Sequence, residues 1–201
     1  PSLPAIYDEV LLVGLGHVLS AYDRSTGDTA WTVNIEDEIH TIVPTPQRIV
    51  VRCNRSIVAI VNGDKQWTAP YKVYPSAIAV GTDTVFVGSS KRISALDPAS
   101  GKIQWREDLP EVTDGWGVNS LVAVPEGVLA RQHSGHVSAY TKTGEEVWRT
   151  KGLNDNFATD GTFLYAGSVG RICSLRVANE EIVWERTCDS ISGCDGAIDV
   201  L

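Results

Sequence analysis

The sequence predicts an all-β fold: a β-propeller of four-stranded antiparallel blades, five of them in the simplest reading. Three observations predict it. First, one hairpin recurs along the chain. Residues 21–31 (AYDRSTGDTAW) return as 95–105 (ALDPASGKIQW), in shortened form as 59–67 (AIVNGDKQW) and 139–148 (AYTKTGEEVW), and in a worn form as 174–184 (SLRVANEEIVW). Second, each copy ends on a tryptophan. Trp31, Trp67, Trp105, Trp148 and Trp184 are five of the six in the chain, spaced by 36, 38, 43 and 36 residues. A period near 40 with strands in every unit is how propeller blades read in sequence. Third, the segments between tryptophans are short β-branched or aromatic runs bounded by glycine or polar residues, and no window shows a 3.6-residue period. No helix is predicted.

Each repeat divides into strands A to D. Strand B is clearest, at 10–13, 49–51, 85–87, 128–130 and 163–165. Strand C follows a short turn, at 18–22, 57–60, 93–96, 137–140 and 172–175. Strand D carries the tryptophan, at 30–33, 66–68, 103–106, 146–149 and 182–185, and strand A precedes B at 41–43, 77–80, 121–124 and 156–159. The C–D turns hold Gly27, Gly63, Gly101 and Gly144, which supply a positive φ without steric cost, and Asn179 stands near that place in the fifth copy. The blades so defined run approximately over 8–36, 39–70, 75–108, 117–151 and 155–187, in one domain.

The ends compete for one slot. Residues 3–6 align with strand A of the first blade, whereas 196–201 (GAIDVL) read like strand A of a following blade. Pro1 and Pro4 lack backbone donors. The expectation is that 197–200, within a closing segment 194–201, pair with 10–13 and close the ring. The rival expectation is that the chain is part of a larger propeller, with a sixth blade just begun; a ring left open would expose two sheet edges, an aggregation hazard.

Composition narrows function. The chain has 201 residues, 43% hydrophobic, and a net charge of −8. Such a surface disfavours nucleic acid, whose phosphates need a basic face. No apolar run approaches the ~20 residues that span a bilayer. No signal peptide is seen and the first residue is Pro1, which reads as a mature or trimmed chain and leaves export open. Cys188 and Cys194 bracket a small loop (CDSISGC) that suits either two thiols or a disulfide, while Cys53 and Cys173 lie in different repeats, which argues against zinc.

The repeat AYDRSTGDTAW resembles the tryptophan-docking repeat of PQQ-type quinoprotein propellers: an alanine, an aspartate two residues later, Thr-Gly, then tryptophan. That resemblance implies that the tryptophan packs between neighbouring blades, that Ala21 and Ala95 leave room for it, and that Gly27 and Gly101 shape the turn. The same repeats build quinoprotein dehydrogenases, the BamB-like lipoprotein of outer-membrane assembly and extracellular sensor domains. A family dehydrogenase would carry eight blades, a calcium held by acidic and amide side chains, a catalytic aspartate and typically a pair of adjacent cysteines. This chain has five tryptophan repeats and no adjacent cysteines, and no motif maps the calcium ligands. The expectation is therefore a non-enzymatic member with no cofactor and no metal, and the resemblance favours an extracytoplasmic location.

Candidate binding residues gather at the predicted B–C turns. His17, Arg55 and Lys91 share one aligned position, and Arg92, His136 and Arg171 share the next. Every blade thus offers a basic side chain at one end, either as an anion-binding collar or as solvated edge turns. His133 and His136 (HSGH) read as turn histidines that diverge rather than chelate, with His17 and His40 in other repeats. The long 107–117 connection (EDLPEVTDGWG) carries Trp116, the only off-pattern tryptophan, as a contact residue or as a plug over the propeller. Asp114, Asp155 and Asp195 sit near connections without a pairing that sequence can assign. The leading functional expectation is a non-catalytic interaction scaffold that meets another protein or an anionic partner through this face, in particular through Trp116, Arg55, Arg92 and Arg171. A small-ligand or carbohydrate binder comes second and a fragment of a dehydrogenase third.

Overall fold

The computed structural model describes residues 2–109, 117–153, 157–168 and 170–187. Among these residues twenty strands form five four-stranded antiparallel sheets, each in sequence order. The first sheet holds β1 (Ala5–Tyr7), β2 (Val10–Leu15), β3 (Val18–Asp23) and β4 (Thr29–Asn34). The second holds β5 (Ile39–Thr45), β6 (Arg48–Cys53), β7 (Ser56–Val61) and β8 (Asp64–Pro70). The third holds β9 (Pro75–Val80), β10 (Val85–Ser89), β11 (Arg92–Leu96) and β12 (Ile103–Asp108). The fourth holds β13 (Val118–Val124), β14 (Gly127–Gln132), β15 (His136–Thr141) and β16 (Glu146–Lys151). The fifth holds β17 (Phe157–Thr159), β18 (Phe163–Ser168), β19 (Arg171–Arg176) and β20 (Ile182–Thr187). The A strands of successive sheets approach one another (β1 to β5, β5 to β9, β9 to β13), which makes them the inner strands of a propeller.

The repeated tryptophan fixes the register. Trp31, Trp67, Trp105, Trp148 and Trp184 stand opposite Ala21, Ala59, Ala95, Ala139 and Ser174, and a one-residue register shift follows every one of these pairs. A small cross-strand partner leaves the indole free to lean out of its own sheet, and the bulge increases the local twist. The indole then lands on the C–D turn of the next sheet. A Cβ built on Gly63, Gly101 or Gly144 would come within 3.0, 2.5 and 2.8 Å of Trp31, Trp67 and Trp105 respectively. Trp67 Nε1 donates to Pro98 O (2.9 Å), Trp105 Nε1 to Lys142 O (2.6 Å) and Trp148 Nε1 to Val177 O (2.6 Å), so these docked indoles, buried or half-buried, keep a polar partner.

Three expectations change. The slot beside β2 is taken by the N-terminal strand, with Ala5 opposite Leu12, Ile6 opposite Leu11 and Tyr7 opposite Val10. The prolines precede this strand and cost its ladder no donor. Residues 197–200, expected in that slot, lie outside the described residues, as do Cys188 and Cys194. In the fifth turn the positive φ falls on Glu180 (61°), not Asn179. Of the five repeat tryptophans, all expected to be buried, Trp67 and Trp148 are, Trp31 and Trp105 are half-buried, and Trp184 is 39% exposed, because no described sheet follows the fifth.

Candidate interaction face

The B–C turns and the D–A connections share one end of the propeller, and main-chain hydrogen bonds bind them together. Ile35 N donates to His17 O, Ile39 N to Gly16 O, Asn54 N to Glu38 O, Tyr71 N to Arg55 O and Leu109 N to Lys91 O, at 2.7–2.9 Å. Loops anchored in this way present side chains from a rigid frame.

The collar residues share that end, but most meet a counter-charge or a hydrogen bond. Arg92 Nε lies 2.5 Å from Asp108 Oδ1, across the β11–β12 pair, and holds that carboxyl below its usual range. Arg171 Nε is 3.0 Å from Glu185 Oε1. Beside Arg55, Asp37 serves as a turn cap: its carboxylate accepts from Arg55 N (2.8 Å), Ser56 Oγ (2.7 Å) and Glu38 N (2.9 Å). Burial pushes Asp37 up, but the Ser56 hydroxyl, these two amides and the His17 charge outweigh it and leave the carboxyl below its ordinary value. His136 Nδ1 shares a hydrogen bond with Ser134 Oγ (2.9 Å), and burial together with Lys151 and Arg149 lowers its pKa, so it favours the neutral ring. His17, Arg55 and Lys91 are exposed at their turns. Trp116, Asp114, Asp155 and Asp195 lie outside the described residues.

A second group at this end was not anticipated. Near the B–C end, strand A skips one residue in three successive sheets: the register shifts between Ile39 and Thr41, passes over Ser76 between Pro75 and Ala77, and shifts between Val118 and Ser120. Such bulges re-aim a side chain. The passed-over residues are the polar His40, Ser76 and Asn119. Arg52, opposite Thr41, donates from Nε and Nη2 to Thr41 Oγ1 (3.1 and 2.8 Å) and from Nη1 to Tyr74 OH and Pro75 O (both 2.8 Å). Its guanidinium carbon lies 5.5 Å from the Tyr74 ring centroid, and His40 meets the same ring edge-on at 5.4 Å. His40 Nε2 is buried without a hydrogen-bond partner. Tyr74 is 44% exposed and Val73 stands beside it, also exposed. In the fourth sheet Arg131, from the same place on strand B, donates to Asn119 Oδ1 (3.1 Å). The sequence signals were a second arginine, Arg52, after the apolar run of a strand that Arg48 opens (RIVVRC) and two tyrosines in one short connection (YKVYP).

Comparison with known proteins now places the chain. The family model described as outer membrane protein assembly factor BamB matches residues 2–184. The chain belongs to this family. Its BamB-like propeller superposes on the crystal structure of BamB from Moraxella catarrhalis with a TM-score of 0.71 at 18% identity, covering 92% of this chain and 63% of that one. It also superposes on quinohemoprotein alcohol dehydrogenase from Comamonas testosteroni (TM-score 0.71, 12% identity, 92% and 42% covered) and on the Neurospora crassa Pan2 WD40 domain (0.69, 12%, 92% and 65%). At these identities the likeness is one of fold, and this chain spans less than two thirds of each of these structures. No curated protein matches it. A BamB-like propeller is in general terms a scaffold for protein interaction. The dehydrogenase likeness raises a calcium-held quinone, and the described residues do not fit one: no three His, Cys, Asp or Glu side chains among them are grouped to hold a metal ion, and Asp37, Asp108 and Glu185 are committed to a turn cap and two arginines.

Proposed function

We propose that this BamB-like chain is a non-catalytic interaction scaffold whose B–C end meets a protein partner with acidic groups. The observation that carries the reading is the Arg52–Tyr74–His40 cluster. Arg52 is a half-buried cation whose hydrogen-bond partners are all neutral oxygens. Among the described residues it has no carboxylate partner. An arginine stacked on an exposed tyrosine is the composition of an interface anchor, and a carboxylate brought to it would complete its charge balance. Trp116, Arg55, Arg92, Arg171, His17 and His136 extend the proposed contact around that end. Arg92 and Arg171, already paired, would act more on encounter than on the final contact.

The test is capture of the native partner by wild type, Tyr74→Ala, Trp116→Ala and an Arg55/Arg92/Arg171 alanine triple variant, at low and high salt. Tyr74→Ala should cost ~2 kcal/mol of affinity, and the triple variant should mainly flatten the salt dependence of association. Equal capture by all variants would remove this face.

A second reading has its own observation. At the opposite end, a cavity of about 530 Å³ opens between the A–B turns, bordered by Pro46, Phe86, Pro125 and the Lys142–Asp83 ion pair (3.0 Å). It suits a small ligand.

A further inference from the structure

The cavity at the A–B end is built by three sheets. The A–B turns of the second, third and fourth sheets converge on it, together with the C–D turn of the fourth. Their main chains are held in place. Gly81 N donates to Thr84 O (2.9 Å), Arg48 N to Thr45 Oγ1 (3.2 Å) and Lys142 N to Glu126 O (3.0 Å), and Lys142 O accepts from the docked Trp105 indole. The chamber of about 530 Å³ is thus framed before any ligand arrives, and its size suits a small molecule.

Its wall and its rim differ in chemistry. Pro44, Val80, Phe86, Ala123 and Val124 make the wall apolar. The rim carries two charges from different sheets, Asp83 and Lys142, 3.0 Å apart and both exposed. The Lys142 hydrogen bond holds the Asp83 carboxyl below its ordinary value, so it is ionised at neutral pH. The Thr82 hydroxyl and the Gln47 amide stand on the same rim.

This composition argues against several ligand classes. No arginine lines the chamber, and its three prolines lack an N–H, so it makes no phosphate cradle. Phe86 is 2% exposed and presents no open ring face for a sugar to stack on. The rim charges sum to zero, so a ligand with a single charge of either sign meets one attraction and one repulsion.

The geometry points to a free apolar α-amino acid as the occupant, with its side chain in the chamber, its ammonium on Asp83 and its carboxylate on Lys142. The assignment rests on the small-ligand reading of this cavity. The two charges of an amino acid are fixed on one carbon, at a separation like that of the rim pair. Laid against the rim, the ligand sets each of its charges beside the opposite one, as two antiparallel dipoles, and leaves no charge uncompensated. A peptide terminus, a fatty acid or an alkylamine carries only one of the two charges.

The test is calorimetric titration of the full chain with L-leucine, glycine, N-acetyl-L-leucine, L-leucinamide and 3-methyl-1-butanol, an apolar analogue of leucine without either charge. Burial of the isobutyl group should favour leucine over glycine by roughly tenfold or more. Blocking either ligand charge should weaken binding about three- to tenfold. Asp83→Asn should erase the preference for leucine over N-acetyl-leucine, and Lys142→Gln the preference over leucinamide. Gly81→Leu supplies the block. Gly81 has no left-handed backbone, and the nearest neighbours of a Cβ built there are Ala123, Thr84 O and Phe86 at 3.6–3.9 Å, so a side chain enters the chamber without strain. It should abolish leucine binding and leave the thermal midpoint in place. If leucine, N-acetyl-leucine and the alcohol bind within twofold of one another, and Gly81→Leu blocks all three, the amino-acid assignment is overturned and the small-ligand reading stands. Binding by none of the five, or binding indifferent to Gly81→Leu, overturns both.

Discussion

Two glycines with the same backbone but different surroundings separate the cost of a turn from the cost of docking. Gly27 (φ 78°) and Gly101 (φ 68°) close equivalent C–D hairpins. In both, an aspartate at the start of the turn accepts from downstream groups: Asp23 Oδ1 from Ser25 N (2.8 Å) and Thr26 N (2.9 Å), Asp97 Oδ1 from Ser100 N (2.7 Å). Alanine at either position forces an L-residue into the left-handed region, at a cost of roughly 1–2 kcal/mol. At Gly27 that is the whole cost, since the new methyl meets nothing. At Gly101 the methyl would lie 2.5 Å from the Trp67 ring. That indole is buried and tethered to Pro98 O, so it cannot swing away without losing its hydrogen bond. Overpacking of this kind adds roughly 1–3 kcal/mol. In the 201-residue chain, Gly27→Ala should therefore lose about 1–2 kcal/mol and Gly101→Ala about 2–5 kcal/mol. The assay is urea denaturation of both variants beside wild type, with the slope checked so that the midpoints compare like with like. Equal losses would refute the claim that Trp67 docks on Gly101.

Trp148→Ala should cost about 3–5 kcal/mol by calorimetry or urea melts, since it empties a site only 7% exposed and leaves Val177 O without its donor; a loss below about 1 kcal/mol would contradict the packing. The Ser25 hydroxyl and the Thr26 and Ser25 amides hold exposed Asp23 at about 2. A depressed folded pKa stabilises above the unfolded value and loses that contribution as pH falls through the folded one, so Asp23→Asn should flatten the stability profile between about pH 4 and 2. An unchanged profile would show that the turn does not favour the carboxylate. Burial pushes the Cys53 thiol up to about 12 and raises Cys173. Both should resist iodoacetamide at pH 8 in the folded protein and react in urea, as peptide mapping will show; equal rates in the two states would place these thiols outside the core.

Much of this molecule is written in short-range pattern. The tryptophan spacing and the alternating strands are local, so the five hairpins, their turns and their order could be read from the chain alone, and the Ala–Trp pairing follows once the hairpin is assigned. The choice between two strands for the slot beside β2 could not be read so. It rests on prolines lying before Ala5–Tyr7 rather than inside it, which counts only when the exact register is known. The basic collar was legible as residues on turns, but not as charges. Asp108 and Glu185 neutralise Arg92 and Arg171 across strand pairs, and Asp37 reaches the Arg55 turn from the preceding connection, so only the assembled sheets reveal them. Arg52, Tyr74 and His40 come from three different segments, and a bulge in strand A brings them together. The sequence by itself determined the repeat: which residues pair within each hairpin and where each tryptophan stands. Only the tertiary structure decided which repeats have a neighbour. Four tryptophans leave their own sheet and meet a groove, and among the described residues the fifth does not, because docking is a contact between sheets that no single repeat encodes.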